Sequence, residues 1–440
     1  MHILIIPSEQ FLPPHNKMDG IFQHHQATIL KEDGHRVGVL SVSLNFSVPM
    51  VVKGVFFKLL RKKTGNATDG ISIGKLLTLG FTKFFSPRKY VSKEVIDGLM
   101  VYRVDGLYFR PPVQNQNHIS WIKAGMTCFQ EYVKQEGRPD IIHAHNAVYA
   151  GMLAQKIFET NGIKYIITEH SSIYALEQVN QNTLQLARQA YDKASGLFAV
   201  SEAFAAYLNG LHSFQRFRYL PNVLDQKLEN YPYRPTKESN GKFVFLHIAS
   251  FIDVKDQSTL LSAFKKVTSN LPGTELWIGG GGELEEDLKQ QVKDLGIQNS
   301  VKFMGLLNRD EVIKNIQACD SFVLSSKYET FGVVVIESML FGKPVIVTRC
   351  GVGQSIVNDK IGYVVEVGNA DGLADAMLKM TATHSRFDPD YIRNYTINSF
   401  GKNAFSEQVN KIYNEVFNRN KKKTIHHNEP LLYNHCTKSP

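Results

Sequence analysis

The sequence predicts an α/β protein built from two Rossmann-like domains that face each other across a cleft. Three observations predict it. Short apolar runs of strand length alternate with longer helical stretches from His2 to Val200, and a second such alternation starts at Phe243. A stretch rich in proline and polar residues, from Pro221-Asn222 through Tyr231-Pro232-Tyr233-Arg234-Pro235 to Gly241, separates the two series. The chain, 440 residues long with 43% hydrophobic and 21% charged residues, has room for two sizeable cores.

Taken in order, residues 2–7 read as a buried strand, a helix follows from Ile21 to Glu32 and stops at Gly34, and Arg36–Val42 is the next strand. Gly20 stands where the backbone of a Rossmann-like unit approaches a ligand closely, although no G-x-G-x-x-G is present. Strands resume at Leu99–Val104, and a helix spans about His118–Gln135. Asp140–His145 is a strand, with His143 and His145 on one face. No third ligand has a matching spacing, so no metal site is expected there. Lys164–Thr168 is a strand with Glu169-His170-Ser171-Ser172 at its carboxyl end, the edge at which open α/β sheets bind ligands. A helix over Asn180–Lys193, a strand over Gly196–Val200 and a helix capped by Ser201 complete the first series.

In the second series, strand Phe243–Ala249, helix Ser258–Ser269 and strand Glu275–Ile278 lead to Gly279-Gly280-Gly281-Gly282, a tight turn without the Lys-Ser/Thr of a P-loop. Helix Leu284–Leu295, strand Val301–Phe303 and helix Asp310–Gln317 follow. The chain then reads Asp320–Ser326 as a buried strand, a polar loop, a helix beginning near Phe331, a stop at Gly342 and a strand over Pro344–Thr348. That helix start aims free N–H groups and a positive dipole end at the loop, as an anion requires. Glu329 lies just before the helix and Glu337 one to two turns inside it. Helical side chains lean toward the N-terminus, so both carboxylates can flank one ligand and accept from its hydroxyls. Amides for a diphosphate and carboxylates for sugar and ribose hydroxyls are what a nucleotide sugar needs.

The stretch Glu329-Thr330-Phe331-Gly332-Val333 through Glu337 resembles the Glu-x7-Glu motif of the retaining glycosyltransferases of family 4, which have the GT-B fold. Asp19-Gly20-Ile21-Phe22, Pro139-Asp140-Ile141-Ile142-His143-Ala144-His145, Thr168-Glu169-His170 and Leu220-Pro221-Asn222 also resemble that family's text, and the likeness covers nearly the whole chain. It implies transfer of a sugar from a UDP- or GDP-sugar to a hydroxyl acceptor, a glycan or lipid-linked glycan, with retention and without a metal or other cofactor. By the resemblance, His170 and Glu329 are catalytic. Gly20, Ser250, Lys255, Gly305, Thr330, Phe331, Gly332, Val333 and Glu337 bind the donor, and His145 lies on the acceptor side. The implied division is an acceptor domain over 1–222, a linker over 223–240, a nucleotide-sugar domain over 241–400, a helix over 401–418 crossing back to the first domain, and a disordered tail over 419–440.

The sequence departs from the family text at Gly280, where the family's Gly-Asp-Gly turn carries an aspartate, and in two further places. Phe251 stands where the family carries an arginine, leaving Lys255 as the nearby cation, and Cys350-Gly351-Val352-Gly353-Gln354 replaces a Gly-Gly-x-x-Glu. Lysine is a point charge and cannot form a bidentate fork. A relative that binds sugar nucleotide or glycan without turnover is therefore the alternative to the transferase. Other GT-B chemistry, such as nucleotide-sugar epimerisation, fits the text less well.

The formal net charge is +9, and between Val51 and Lys93 ten Lys/Arg face the single acid Asp69. This basic insertion, 43–95, reads either as a solvated face or as a surface for an anionic membrane or lipid-linked acceptor. No nucleic-acid-binding motif accompanies it. Four scattered cysteines imply no disulfide framework. The N-terminal text lacks a signal peptide, and no apolar run has transmembrane length. The expectation is a cytoplasmic protein, peripheral on the inner membrane face if the basic segment binds lipid.

Overall fold

Two separate sheets organise the chain in a computed structural model, which describes residues 1–13, 20–47, 55–56, 74, 91–108, 117–174, 181–233, 241–351 and 353–425. The first sheet contains β1 (His2–Pro7), β2 (Arg36–Ser47), β3 (Val91–Ile96), β4 (Leu99–Tyr108), β5 (Ile141–His145), β6 (Tyr165–Glu169), β7 (Gly196–Ala199) and β8 (Phe217–Tyr219). Their order is β3-β4-β2-β1-β5-β6-β7-β8. Among the described residues only the β3–β4 pair of this sheet is antiparallel, a hairpin turning at Asp97-Gly98, where both residues have positive φ. β3 takes residues assigned in sequence to the basic insertion, because a strand as exposed as Val91–Ile96 lacks the buried pattern of its neighbours. The rest of the insertion, in which the sequence suggests basic amphipathic helices over 51–61 and 73–85, lies almost wholly outside the described residues.

The second sheet contains β9 (Phe243–Ile248), β10 (Thr274–Gly279), β11 (Val301–Gly305), β12 (Ser321–Leu324), β13 (Val345–Thr348) and β14 (Gly362–Val365). Its order, β11-β10-β9-β12-β13-β14, is that of a doubly wound dinucleotide-binding sheet, and every pair is parallel. Strand order reverses between β9 and β12 here, and between β1 and β5 in the first sheet. At such switch points the connections leave in opposite directions and open a crevice at the carboxyl ends. β12 and β13 are buried at every position, as central parallel strands covered on both faces must be.

Beyond β14 the sequence reading assigned no helix before Lys402, yet helices span Ala370–Thr383 and Pro389–Phe400. Both start at a side-chain cap, Asn369 and Asp388, and the second carries proline in its first turn. The last helix, Lys402–Ile425, runs past the expected end at 418. Its Phe405, Val409, Ile412, Tyr413 and Val416 share one apolar cluster with Ile3, Ile5, Val37 and Val39 of the first sheet. Lys164 Nζ donates to the Val416 carbonyl at 2.9 Å, and Lys402 Nζ meets Glu32 Oε2 at 2.6 Å. Among the described residues no helix is long and apolar enough to cross a membrane.

Candidate active site

The second sheet's switch point gathers the residues singled out in sequence. β9 ends at Ile248, exposed Ser250 follows, and the chain turns through Asp253–Lys255 into helix Gln257–Asn270. Asp256 enters that helix at φ 49° and accepts from Thr259 N. β12 ends opposite, and hydrogen bonds lace the two loops together. Lys327 N donates to the Val254 carbonyl at 2.8 Å, and Ser325 Oγ donates to the Lys255 carbonyl at 3.0 Å. The lacing brings Lys255 Nζ to 2.5 Å from Glu329 Oε1, which also accepts from Ser326 Oγ at 2.8 Å. Lys255 and Glu329, read from sequence as separate diphosphate and sugar contacts, form one ion pair.

The helix after Glu329 starts at Val333, two residues later than expected, because Gly332 adopts the left-handed conformation at φ 95°. No side chain caps this end. Thr330 and Val333 are half-buried, whereas Phe331 turns into the core against Phe400, ring centroids 5.8 Å apart. What Phe331 can present to a ligand is backbone. Gly351 closes over this loop with φ +59°, and a Cβ there would fall 2.6 Å from the Glu329 Cβ.

Glu337 is buried, and its Oε1 accepts from Arg309 Nη2 at 2.8 Å. Burial pushes its carboxyl above the usual range, and the Arg309 guanidinium pulls the other way. Arg309 escaped the sequence reading. It begins a different helix, Arg309–Ala318, and only folding brings it to Glu337. The capping text Asn308-x-x-Glu311 was the available signal for a fixed helix start at that point.

Phe251 is 1% exposed and packs edge-on against Phe303, centroids 6.2 Å apart. The glycine turn folds over it. A Cβ on Gly280 would lie 1.9 Å from the Ala249 carbonyl and 3.0 Å from the Phe251 ring, and one on Gly282 would lie 2.5 Å from the Phe251 carbonyl. Gly305 closes the neighbouring strand end with φ +69°, its carbonyl accepting from Gly280 N at 2.8 Å.

On the first sheet, the carboxyl ends of β5 and β6 hold a row of histidines. His143 and His145 are fully buried, their rings stacked with centroids 4.5 Å apart. His143 reaches Tyr413 Oη and Thr168 Oγ1, both at 2.8 Å. His145 Nδ1 lies 2.9 Å from His170 Nε2, so one ring donates and the other accepts. Burial pushes His143 down to about 3 and His170 to about 4, the Asn222 side chain opposing the latter shift; His145 also falls well below 6.5. The row is neutral at physiological pH. His170 can therefore offer a dipole to a reaction centre but no positive charge. Its neighbour Glu169 is buried, accepts from Ala147 N and Tyr191 Oη at 2.6 Å each, and is pushed up to about 7 by burial. Among the described residues no group of three or more His, Cys, Asp or Glu is arranged to hold a metal ion.

Gly20, expected from sequence to let a ligand approach closely, also makes a close approach within the chain. At φ +73°, a Cβ on it would fall 2.9 Å from Phe11 Cα and 3.2 Å from the Gln10 carbonyl. The close approach it permits is to the chain's own 10–12 loop.

Residues 233–394 match the family model for glycosyl transferases group 1, and residues 88–228 match that for glycosyltransferase family 4. The chain is 28% identical over 262 residues to N-acetyl-alpha-D-glucosaminyl L-malate synthase of Bacillus anthracis, covering 56% of this chain and 67% of that protein. It is 34% identical over 143 residues to the lipopolysaccharide core biosynthesis glycosyltransferase LpsE of Rhizobium meliloti, covering 32% and 40%. The matches thus span two thirds or less of these relatives' own lengths. In fold, the chain is similar to sucrose-phosphate synthase from Thermosynechococcus elongatus, with a TM-score of 0.69, 17% identity, and coverage of 95% of this chain and 100% of that one. It is also similar to Anabaena HepE in complex with UDP, with a TM-score of 0.64, 17% identity, and coverage of 94% and 100%. The two family models together take in well over half of the sequence, and the chain belongs to the family 4, group 1 glycosyltransferases of the GT-B fold.

Proposed function

We propose that the protein transfers a sugar from a nucleoside diphosphate to a hydroxyl acceptor, keeping the anomeric configuration. The observation that carries this reading is the convergence of Lys255, Glu329, the uncapped Gly332–Val333 helix start and Glu337 at one switch point. Each supplies what one part of a sugar nucleotide requires. The backbone N–H groups at Gly332–Val333 and the Lys255 ammonium take the diphosphate, and Glu337 accepts from ribose hydroxyls. Glu329, fixed by Lys255 and Ser326, accepts from sugar hydroxyls. A carboxylate so engaged is better placed to orient a sugar than to attack it. The donor diphosphate then takes the acceptor's proton as the glycosidic bond forms on the face that the leaving group vacates. His170, neutral and held by His145, packs against the sugar from the first sheet and supports the transition state by its dipole. Ser250, Gly305, Thr330 and Phe331 line the donor side, and His145 backs the acceptor side.

The acceptor we propose is a glycan or lipid-linked glycan, in polysaccharide or glycolipid synthesis. The ten-to-one basic excess of residues 51–93 supports it, as does the similarity to LpsE, a lipopolysaccharide core biosynthesis glycosyltransferase. Purified protein incubated with UDP-, GDP- and ADP-sugars should release nucleotide from one of them. The product should keep the donor's anomeric configuration by NMR, and EDTA should leave the rate unchanged. An inverted product, or activity lost to EDTA and restored by a divalent ion, refutes the mechanism. Tight binding of a sugar nucleotide with no release on any acceptor favours the non-catalytic relative, which the buried Phe251 in place of an arginine keeps in view.

A further inference from the structure

Glu337 does not stand alone in the donor half. The guanidinium that meets it leaves a rigid base, because Asn308 and Glu311 close a capping box around the first turn of helix Arg309–Ala318. Arg309 Nη2 lies 2.8 Å from Glu337 Oε1 and 3.8 Å from Asp225 Oδ2. Asp225 belongs to the stretch between the two sheets. Its Oδ1 caps the short helix Gln226–Glu229 by accepting from Lys227 N at 2.9 Å, and it lies 3.7 Å from His25 Nε2 of helix Ile21–Glu32. Glu337, Arg309, Asp225 and His25 therefore form a polar line from the second sheet's helix layer, through the connecting stretch, to the first sheet's. No protein donor among the described residues meets the second Glu337 oxygen, Oε2.

We propose that Arg309 is a positioning residue for the nucleotide site, holding Glu337 ionised and in one rotamer so that Oε2 is free to accept from the donor's ribose hydroxyls. The proposal rests on the reading above that Glu337 meets the ribose. A buried carboxyl without a counter-charge protonates, and a protonated carboxyl is a poorer acceptor for a hydroxyl. Arg309 prevents this, and it spends one Glu337 oxygen to do so. Other charged groups nearby cannot take its place. Asp225 is a carboxylate, and the Lys227 ammonium acts on His24 and His25, not on Glu337. From the packed helix Pro389–Phe400, Arg393 gives its guanidinium to the Leu340 and Glu229 carbonyls at 2.6 and 2.8 Å. His25 is neutral, burial holding it near 4.

The test is nucleotide affinity against pH. Dissociation constants for UDP, GDP and ADP are measured by calorimetry between pH 6 and 9 on the full chain, and the best-binding nucleotide is carried forward. Arg309→Met should weaken binding about tenfold at pH 6 and recover affinity as pH rises, because Glu337 now titrates within the range. Its kcat at saturating donor should stay within about threefold of the wild type. Arg309→Lys should restore the wild-type affinity and pH profile, against which every variant's profile is compared. Glu337→Gln should weaken binding with a flat profile. In the double variant Arg309→Met/Glu337→Gln binding should match Glu337→Gln alone, since an amide needs no counter-cation. A flat profile for Arg309→Met beside a weakened Glu337→Gln overturns the proposal and leaves the ribose reading intact. A double variant much weaker than Glu337→Gln also overturns it, by showing that Arg309 touches the nucleotide directly. Wild-type affinity in Glu337→Gln overturns the ribose reading itself. Were Arg309→Met too unstable to purify, Arg309→Gln, which keeps a polar partner without the charge, gives the same comparison.

Discussion

Replacing Lys255 by methionine removes a charge that serves two partners, and the structure allows the two effects to be separated. Lys255 Nζ lies 2.5 Å from Glu329 Oε1, with side chains 21% and 12% exposed. Such a pair sits between the surface case, worth at most about 1 kcal/mol, and the buried case, where removing one partner costs about 3–5 kcal/mol. A loss of about 2 kcal/mol in stability is the expected structural effect, since Glu329 keeps only Ser326 Oγ. The catalytic effect is additional. If the ammonium also supports the leaving diphosphate, kcat/KM for the nucleotide sugar selected by the donor panel should fall at least tenfold, about 1.4 kcal/mol or more. Removing the stranded carboxylate as well, in Lys255→Met/Glu329→Gln, should return most of the thermal stability and none of the turnover. Denaturation curves and initial rates on the two single variants and the double complete the cycle. Near-normal kcat/KM in Lys255→Met would show that the diphosphate is held elsewhere. A double variant that regains activity along with stability would show that Lys255 serves only to neutralise Glu329.

His170→Ala and Glu329→Ala should lower kcat far more than Glu337→Ala, which should chiefly raise the donor KM; equal loss of kcat in all three would erase the assigned division of roles. Gly351→Ala should cost turnover at least tenfold, since its Cβ would displace Glu329, whereas Gly368→Ala, also at positive φ but with open space around it, should lose only about 1 kcal/mol of stability and stay active. Lowering the pH from 7 to 5 should lower the melting temperature. His143, His145 and His247 are fully buried with folded pKa values depressed below 6.5, so each loses about 2 kcal/mol of stability as pH falls to 5. Glu169, with its folded value raised to about 7, works in the opposite sense and returns about 2 kcal/mol over the same interval, leaving a net loss that a flat or rising melting temperature would contradict. Liposome flotation at low salt should show preference for anionic over neutral vesicles through residues 51–93, each basic residue adding about 1 kcal/mol near the surface, and equal binding to both would return the segment to a solvated face.

The parts of the fold legible in sequence were those in which local pattern and tertiary role coincide. The runs of β9, β12 and β13 are mostly apolar because both faces are covered, and Gly342 ends its helix by taking φ +70°. Glu329 and Glu337 were legible because one loop and one helix carry both. The exposed edge strand β3 and the three-residue β8 were not, since neither has a buried face long enough to leave a period. Arg309 was illegible for a stronger reason. Nothing in Asn308-Arg309-Asp310 shows that the guanidinium will meet a carboxylate 28 residues further on, because the sheet order decides it. His170 was found by its place at a strand end, but its neutrality comes from burial and its contact with His145 from the parallel register of β5 and β6, and neither leaves a mark in the local text.

Phe251 and Gly280 show how two departures from a family's text can be one solution in packing. A phenyl ring at 251 turns inward, against Phe303, and the segment that would cover an outward-pointing cation must then descend over it. It descends as Gly279–Gly282, with Gly280 at φ +138° and Gly282 at φ +158°, and side chains at those two positions would strike the Ala249 and Phe251 carbonyls. An aspartate at 280 is thus excluded by the same fold that buries the phenylalanine. The site has not simply lost an arginine from an otherwise unchanged pocket. It has turned the side chain at 251 into the core and kept Lys255, four residues on, paired with Glu329. On the proposed reading, cationic support of the leaving group shifts from a rigid fork to a mobile point charge, which a nearby carboxylate, Glu329, holds in place. Binding and turnover then depend on how readily Lys255 exchanges that carboxylate for a diphosphate.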